Sequence, residues 1–183
     1  MKKFILLTIL FMAALTLHAL DAVRVDVRCP GGMSVAQVSA EGLSVATTPA
    51  RATENITNIV LMSGNLNDQW QKFEFTFTPA ADGRIALRFH TPGSRNVQAI
   101  KPVLIDDVQV IGGTLLNGSF EIVQNNRPAN WGFGKNAAII TGELVYDGER
   151  CVRVIFNSGM ATQIMIVTGG EKVTVSFRAR LAQ

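Results

Sequence analysis

Two runs within residues 70–90 alternate between the two faces of a strand, and this alternation constrains the fold more than any other feature. In Trp70–Pro79 (WQKFEFTFTP), three phenylalanines share one parity while Lys, Glu and Thr share the other. After the turn residues Asp82-Gly83, the run Arg84–His90 (RIALRFH) alternates in the same way. A period of two places successive side chains on opposite faces of a β-strand. Both runs are therefore predicted to be half-buried strands.

The rest of the chain repeats this pattern of short strands between turn residues. No stretch has apolar residues at a helical spacing over three turns, and Gly, Asn and Asp separate the strand-like runs. Such regular spacing is typical of an all-β sandwich. Further strands are predicted at 23–28, 103–111, 114–123, 138–141, 143–146, 151–156, 162–167 and 172–180.

A Gly112-Gly113 pair separates two of these β-favouring runs. Both glycines can adopt positive φ without steric cost, which is typical of a two-residue hairpin turn. A hairpin here would place Ile105 opposite Phe120 on one face. On the other face, Asp106 would lie diagonal to Glu121, about 7 Å away by sheet geometry.

Several short phrases resemble carbohydrate-binding modules of families four, nine and twenty-two, which have a galactose-binding-like jelly-roll fold. LIDDVQV (104–110) is similar to the last strand of such a module, and LLNGSFE (115–121) to the first. Residues 70–90 also resemble the second half of a module. NRPANW (126–131) and residues 148–157 and 161–180 resemble the first half. The resemblance implies a jelly-roll β-sandwich that binds a polysaccharide or oligosaccharide without catalysis.

These phrases occur in reversed order, because residues 23–111 resemble the second half and residues 114–183 the first half. The chain is either a pair of incomplete modules or one circularly permuted module. Half a sandwich would leave its phenylalanine face exposed to water, which favours permutation. The resembled modules place their first and last strands side by side, so a Gly-Gly link could join the old ends. We expect one monomeric sandwich over residues 23–183, with strand 23–28 beside or near strand 172–180.

The first 22 residues have the pattern of a secretory signal peptide. Lys2-Lys3 precede an apolar run over residues 4–17, and Ala19 or Ala22 offers a small residue for cleavage. An uncleaved anchor is the alternative. The protein is expected to be secreted or periplasmic, with no membrane contact beyond this segment.

Charge and cysteine content narrow the classes of partner. The chain has a formal net charge of +3, and removal of residues 1–22, with two Lys and one Asp, leaves +2. No window holds a basic cluster, so nucleic acid is not an expected partner. Cys29 and Cys151 are the only cysteines. In an exported protein they either form a disulfide or remain two small buried thiols.

No catalytic constellation is evident, and the protein is not expected to be an enzyme. Without the signal peptide the chain holds one histidine, His90, so a Ser-His-Asp or Cys-His arrangement would have to use it. The resembled modules carry a structural calcium ion with ligands from NGSFE and DDV, which implies Asp106 and Glu121 as ligands here. Asp107 is a secondary candidate. The alternative is a solvated acidic pair.

Glycan binding requires aromatic faces that stack on sugar rings and planar polar groups that bond hydroxyls. Trp131 lies in a Gly- and Asn-rich loop with Phe133, and either stacks on a sugar or plugs the edge of the sandwich. Trp70 resembles the core-packing tryptophan of the family. The predicted carbohydrate-binding residues are Trp131, Phe133, Tyr146, Gln163, Arg153 and His90.

Two other functions remain open at this point. The chain could be a structural or protein–protein interaction sandwich of the cell envelope, or a truncated fragment of a larger glycan-active protein. A cleft that holds Trp131 or Tyr146 beside Gln163 and arginines would favour glycan binding. A flat apolar face or an exposed edge strand would favour contact with a protein.

Overall fold

A computed structural model describes residues 21–29, 35–48, 57–93, 101–156 and 159–183. Over these ranges all regular secondary structure is β, and no helix is formed. The strands are β1 (Arg24–Cys29), β2 (Val35–Glu41), β3 (Leu43–Thr48), β4 (Thr57–Ser63), β5 (Gln71–Pro79), β6 (Gly83–His90), β7 (Val103–Ile111), β8 (Gly113–Thr114), β9 (Val123–Gln124), β10 (Arg127–Pro128), β11 (Gly132–Phe133), β12 (Ala138–Thr141), β13 (Arg150–Val154), β14 (Ala161–Val167) and β15 (Val173–Leu181).

Antiparallel pairing arranges most of these strands into two sheets. Sheet A has the order β11-β14-β6-β1-β4-β3, with β8 also paired to β14. Sheet B has the order β12-β13-β7-β15-β5-β2, and β9 and β10 form a separate two-stranded ladder. The predicted all-β sandwich class is therefore confirmed. The jelly-roll assignment and the permuted order remain predictions.

The core lies between the inward faces of the two sheets. On β5, Phe73, Phe75 and Phe77 point inward and are at most 5% exposed, as their alternation predicts. Phe177 of β15 stacks on Phe73 with ring centroids 5.5 Å apart, and meets Phe89 of sheet A edge-on at 5.0 Å. Full burial of one such side chain contributes about 1.5–3 kcal/mol. These aromatic contacts therefore hold the sheets face to face.

The Gly112-Gly113 pair does not close a hairpin, contrary to the prediction. The chain leaves sheet B at the end of β7 and enters sheet A as β8, which pairs with β14. β15 pairs along one edge of β7 and β13 pairs with Val103–Ile105 on the other. Beyond these residues the Val108 N–H donates to the Gly118 carbonyl oxygen at 3.0 Å, but residues 114–123 form no ladder with β7. Gly112 has a φ of 80°, and a Cβ there would lie 2.2 Å from the Lys172 carbonyl oxygen. Glycine is needed here for a crossing between sheets.

Both sheets combine strands from before and after residue 112, and in sheet B the two sets are interleaved. Sheet A combines β1, β3, β4 and β6 with β8, β11 and β14, and sheet B combines β2, β5 and β7 with β12, β13 and β15. Phe120 is fully buried in the same core as Phe73, Phe75 and Phe77, as predicted. The phenylalanine face of β5 is thus covered by residues from both halves of the chain.

β1 and β15 were predicted to lie beside or near each other, but they are not paired. β1 lies between β4 and β6 in sheet A, whereas β15 lies between β5 and β7 in sheet B. The start of β1 and the end of β15 nevertheless meet at one short segment. The Leu66 N–H donates to the Asp21 carbonyl oxygen, and the Leu181 N–H donates to the Asn67 carbonyl oxygen, each at 2.7 Å. The beginning and the end of the sandwich, where permutation would have cut the original chain, are therefore close in space.

Asp21 and Ala22 pack as part of the sandwich. Ala22 is fully buried, and the Asp21 carboxylate lies 2.7 Å from Lys101 Nζ. Residues 1–20 lie outside the described residues. Of the two cleavage residues suggested by the sequence, only Ala19 would leave Asp21 and Ala22 in the mature chain. No helix in the described ranges is long and apolar enough to cross a membrane.

The two cysteines are free, buried thiols in different sheets. Cys29 lies on β1 and Cys151 on β13, so the alternative of two buried thiols is the one observed. Burial raises the pKa of Cys29 to about 11. Burial, together with the nearby Asp106 carboxylate, raises the pKa of Cys151 to about 12. The thiolate is the reactive form of cysteine, so neither side chain is poised as a nucleophile.

Candidate binding surfaces

An open groove of about 460 Å³ crosses the outer face of sheet A. Strands β6, β8, β11 and β14 and the segments beside them contribute its sides. The residues that shape it include Arg84, Thr114, Leu116, Gly132, Thr162 and Ile166. We refer to it below as the sheet A groove.

The alternation of β14 explains why its side chains face this groove. Gln163 and Met165 point inward and are buried, so Thr162, Ile164 and Ile166 point outward. Ile164 and Ile166 are 43% and 60% exposed. Solvent-facing isoleucines on a strand are unusual when they occur side by side. The outer face of sheet A therefore presents an apolar strip beside hydroxyl and guanidinium groups.

Gln163 lines the groove, although its side chain is almost fully buried. It is 4% exposed, its Oε1 accepts a hydrogen bond from the Leu116 N–H at 2.8 Å, and its Nε2 donates to the Leu116 carbonyl oxygen at 2.7 Å. β11 and β8 pair with different parts of one edge of β14. Between them no described strand pairs with this edge, and there the Gln163 amide holds residues 115–117 against β14 through its two hydrogen bonds. Gln163 was predicted to contact a glycan, and the structure places it at the groove with both polar atoms already bonded.

Trp131 is buried beneath the groove and does not present a stacking face. It is 5% exposed, its ring lies 4.9 Å from Phe120 and 6.1 Å from Phe89, and its Nε1 donates to the Asn117 carbonyl oxygen at 2.9 Å. Of the two alternatives, Trp131 plugs the sandwich, and its prediction as a sugar-stacking residue is wrong. Phe133 is half-buried and also packs against the core, which leaves only Gly132 facing the groove from β11.

His90 lies in a hydrogen-bonded chain on the outer face of sheet A. Its Nε2 contacts Asp26 Oδ2 at 3.0 Å and its Nδ1 contacts the Thr91 carbonyl oxygen at 2.9 Å, while Arg24 Nε donates to Asp26 Oδ1 at 2.8 Å. Burial raises the pKa of Asp26, but the hydrogen bonds from His90 and Arg24 outweigh it and hold that pKa below its ordinary value. His90 is 5% exposed, so its prediction as a glycan contact is wrong.

The exposed aromatic ring of Tyr146 lies on the opposite sheet. Its centroid is 5.8 Å from that of Trp70 in an edge-on arrangement, and the Arg178 guanidinium lies 4.6 Å above it. Arg180 lies 6.0 Å from the Trp70 centroid. We call these four side chains the Trp70–Tyr146 cluster. Trp70 was predicted to pack in the core, but it is half-buried on the outer face of sheet B, so that prediction is wrong.

The predicted carbohydrate-binding residues therefore divide between two surfaces. Trp131, Phe133 and Gln163 meet where β11 pairs with β14 in sheet A. Tyr146 precedes β13, and Arg153 is exposed on that strand in sheet B. In the Trp70–Tyr146 cluster, Arg178 covers one ring face of Tyr146, so an intramolecular cation–π contact already uses the aromatic surface.

The two predicted calcium ligands each bind consecutive N–H groups of residues 146–150. Asp106 Oδ2 accepts from Tyr146 N at 3.0 Å and Asp147 N at 3.2 Å, and its Oδ1 accepts from Asp107 N at 2.8 Å. Glu121 Oε1 accepts from the N–H groups of residues 149 and 150, both at 2.9 Å, and its Oε2 lies 3.0 Å from the guanidinium of residue 150.

Calcium would need these carboxylate oxygens to turn away from their donors. Calcium takes six to eight oxygen ligands, whereas Asp106 and Glu121 face N–H groups. Asp107 Oδ1 accepts from Gln109 Nε2 at 2.7 Å. Within the described ranges, no three or more His, Cys, Asp or Glu side chains are grouped as metal ligands. As arranged, the residues do not fit the ion, and the calcium site stays a prediction of the resemblance.

Comparison with models of protein families, with curated proteins and with solved structures finds no match for this chain. The functional conclusion therefore depends on the geometry of the surfaces. The groove residues Arg84, Thr114, Thr162 and Ile166 were not predicted as a site. The signal that could have identified them is β14 itself, since ATQIMIV carries isoleucines on its polar face as well as apolar residues on its buried face.

Proposed function

We propose that this protein is a secreted, non-catalytic module that binds a polysaccharide or oligosaccharide in the sheet A groove. The observation that carries the proposal is the open groove of about 460 Å³ on a sheet face. An open groove admits an internal stretch of a polymer, and Thr114, Thr162, Asn130 and Arg84 offer polar groups along it. Ile164 and Ile166 supply the apolar contact.

The absence of catalysis is part of the same proposal. His90 is the one histidine that follows the signal segment, and both of its ring nitrogens face oxygen atoms inside the protein. Burial raises the pKa values of both thiols, which keeps them protonated. Neither side chain type is positioned to act on a ligand in the groove.

Affinity electrophoresis of the exported protein in gels that contain individual polysaccharides tests this proposal. Gly132 faces the groove, has no positive φ, and a Cβ there would meet only the Thr162 carbonyl oxygen at 3.5 Å. Gly132→Leu should therefore fold normally and fill the groove. Gly64→Leu is the matched control, because a Cβ at Gly64 meets no atom within 4 Å and the residue does not line the groove.

We expect at least one polysaccharide to retard the wild-type protein and Gly64→Leu, and Gly132→Leu to migrate as if no polysaccharide were present. Thermal melting of the three proteins should agree within a few degrees. Retardation that survives in Gly132→Leu would move the binding site away from this groove. Migration unaffected by every polysaccharide would overturn glycan binding.

The second candidate function is contact with another protein through the same face. Leu116, Ile164 and Ile166 are 54%, 43% and 60% exposed, and exposed aliphatic side chains in contact with one another mark many interaction surfaces. A double variant Ile164→Thr, Ile166→Thr separates the two functions. It keeps β-branched side chains on the strand, so it should weaken glycan binding, because the apolar contact is lost while the polar groups remain, but abolish binding to a protein partner.

A further inference from the structure

The groove that is proposed to bind a glycan contains no aromatic side chain. Neutral sugars are normally held by stacking of their apolar faces on exposed rings. Here Trp131 is 5% exposed and Phe133 packs into the core, so the apolar contact that the groove offers a ligand is aliphatic, from Leu116, Ile164 and Ile166. A neutral sugar chain would therefore lack the main source of its usual affinity.

The groove has instead an excess of positive charge. Arg84 and Arg88 both point outward from β6, opposite Ile166 and Thr162 of β14. They lie four residues apart on one strand, about 13 Å from each other by strand geometry. Arg84 is exposed and lines the groove, whereas Arg88 is half-buried and lies next to the groove, opposite its lining residue Thr162.

Neither guanidinium is neutralised by an acidic neighbour among the described residues. Asp26 is the acidic residue opposite Arg88 across the β1–β6 ladder. Its oxygens are taken by Arg24 Nε at 2.8 Å and His90 Nε2 at 3.0 Å. No acidic side chain lines the groove. Two cations on a face without counter-charge make the groove complementary to an anion.

Resting on the glycan-binding function proposed above, we infer that the groove selects acidic glycans, whose sugar rings carry carboxylate groups. A planar guanidinium bonds a carboxylate through two parallel N–H···O contacts, which adds both affinity and orientation. Thr162 lies opposite Arg88, and Thr114 lies at the level of Arg84 on the far side of β14, so a hydroxyl group accompanies each arginine and can bond the ring hydroxyls. Charge thus supplies the affinity that stacking supplies in an aromatic cleft.

Affinity electrophoresis with three classes of polysaccharide tests this selection: polygalacturonate, the same polymer with its carboxylates methyl-esterified, and neutral xylan. The variants are Arg84→Gln and Arg88→Gln. Arg153→Gln is the matched control, because Arg153 is exposed on the outer face of the opposite sheet. All three substitutions lie at the surface, and thermal melting checks that each variant folds.

We expect retardation by polygalacturonate, weakened by salt, and little by its methyl ester or xylan. Arg84→Gln and Arg88→Gln should each weaken binding about tenfold, the scale of one hydrogen-bonded charge pair, and Arg153→Gln should not. Equal retardation by charged and esterified polymer would overturn acidic selection while glycan binding stands. An equal loss in Arg153→Gln would show non-specific charge attraction and also overturn it. No retardation by any polymer would overturn both inferences.

Discussion

Asp106 is the side chain that most directly fastens residues 146–150 to sheet B. It is fully buried, and its two oxygens accept three backbone N–H groups. Asp106→Asn keeps the size of the side chain but replaces one carboxyl oxygen, which can accept a hydrogen bond in its ionised and in its protonated form, with an NH2 group that cannot accept one. At least one buried N–H then loses its partner. We expect a loss of about 1–3 kcal/mol in the free energy of unfolding at pH 5, measured with urea. Asp107→Asn is the control, because Asp107 bonds only the side chain of Gln109 and its neighbour's carboxylate, and asparagine tolerates its φ of 49°.

The same variant has a second readout in its pH dependence. Burial raises the pKa of Asp106 to about 6 from an ordinary value of 3.8, although the N–H groups bonded to it act in the opposite direction. The folded protein therefore binds this proton more tightly than the unfolded chain between about pH 4 and pH 6. The contribution of Asp106 to stability is complete below pH 4 and falls as the pH rises to 6. The stability gap between wild type and Asp106→Asn should narrow over that window, and a constant gap would contradict the raised pKa.

Calcium provides a test in which the sequence resemblance and the structure lead to different expectations. The resemblance predicts an ion on Asp106 and Glu121, and an ion that binds only the folded state raises its melting temperature. The N–H contacts of both carboxylates lead us to expect equal melting temperatures in calcium and in chelator. A calcium-dependent rise that Glu121→Ala removes would restore the resembled ligand set.

For single residues, the sequence predicts which polar side chains form important contacts but not which partners their polar atoms face. Asp106 and Glu121 were chosen as oxygen ligands, and both do act through their oxygens, but toward backbone donors. The alternation of Arg84–His90 predicts that His90 lies on the polar face of its strand. It does, yet Asp26 and the Thr91 carbonyl oxygen contact both of its ring nitrogens. Parity gives the face of a strand, whereas burial depends on neighbours that are distant in sequence.

The two tryptophans precede different strands and differ in burial, and mutation can measure this difference. Trp131 precedes β11 and fills the core against Phe120 and Phe89, whereas Trp70 precedes β5 and lies half-buried on the outer face of sheet B. Trp131→Ala should lower the free energy of unfolding by about 3–5 kcal/mol, the usual cost of a large cavity. Trp70→Ala should cost clearly less. Chemical denaturation measures both, and a larger loss for Trp70→Ala would contradict this assignment.

Alternation predicts the long strands well and the connections poorly. β5, β6, β14 and β15 occur within one residue of their predicted positions, because each buries every second side chain. Residues 143–146 were predicted as a strand but form turns, and residues 114–123 are strand only at their ends. The Gly112-Gly113 pair permits positive φ for a hairpin and for a crossing alike. Pairing of β8 with β14, which is distant in sequence, decides for the crossing.

For the whole molecule, interleaving of the two halves is the basis of the permutation proposal. The ends of β1 and β15 meet at Leu66 and Asn67, so a short linker from Gln183 to Asp21 could join them. A rearranged chain that starts at Thr114 and ends at Ile111, with this linker, should fold with similar stability. We expect it and the mature wild type to unfold in one cooperative transition and to elute as monomers. A dimer that exchanges its halves would support the broken-tandem alternative.

The proposed export of the protein can be tested at the boundary of the signal peptide. Ala22 is fully buried and Asp21 bonds both Leu66 and Lys101, so a mature chain that begins at Leu20 keeps these contacts. This boundary is shorter than the predicted signal of residues 1–22. We therefore expect N-terminal sequencing of the exported protein to find Leu20, and a first residue of Val23 would contradict this boundary.

Amide chemical-shift mapping of the mature protein during titration with galacturonate oligomers tests the central claim most directly. The account expects the largest shifts along the sheet A groove, at Arg84, Thr114, Gly132, Thr162 and Ile166, with residues on the outer face of sheet B unchanged. Shifts confined to the Trp70–Tyr146 cluster would place the glycan on the opposite sheet and contradict the account. A spectrum that does not change at saturating oligomer would contradict it as well.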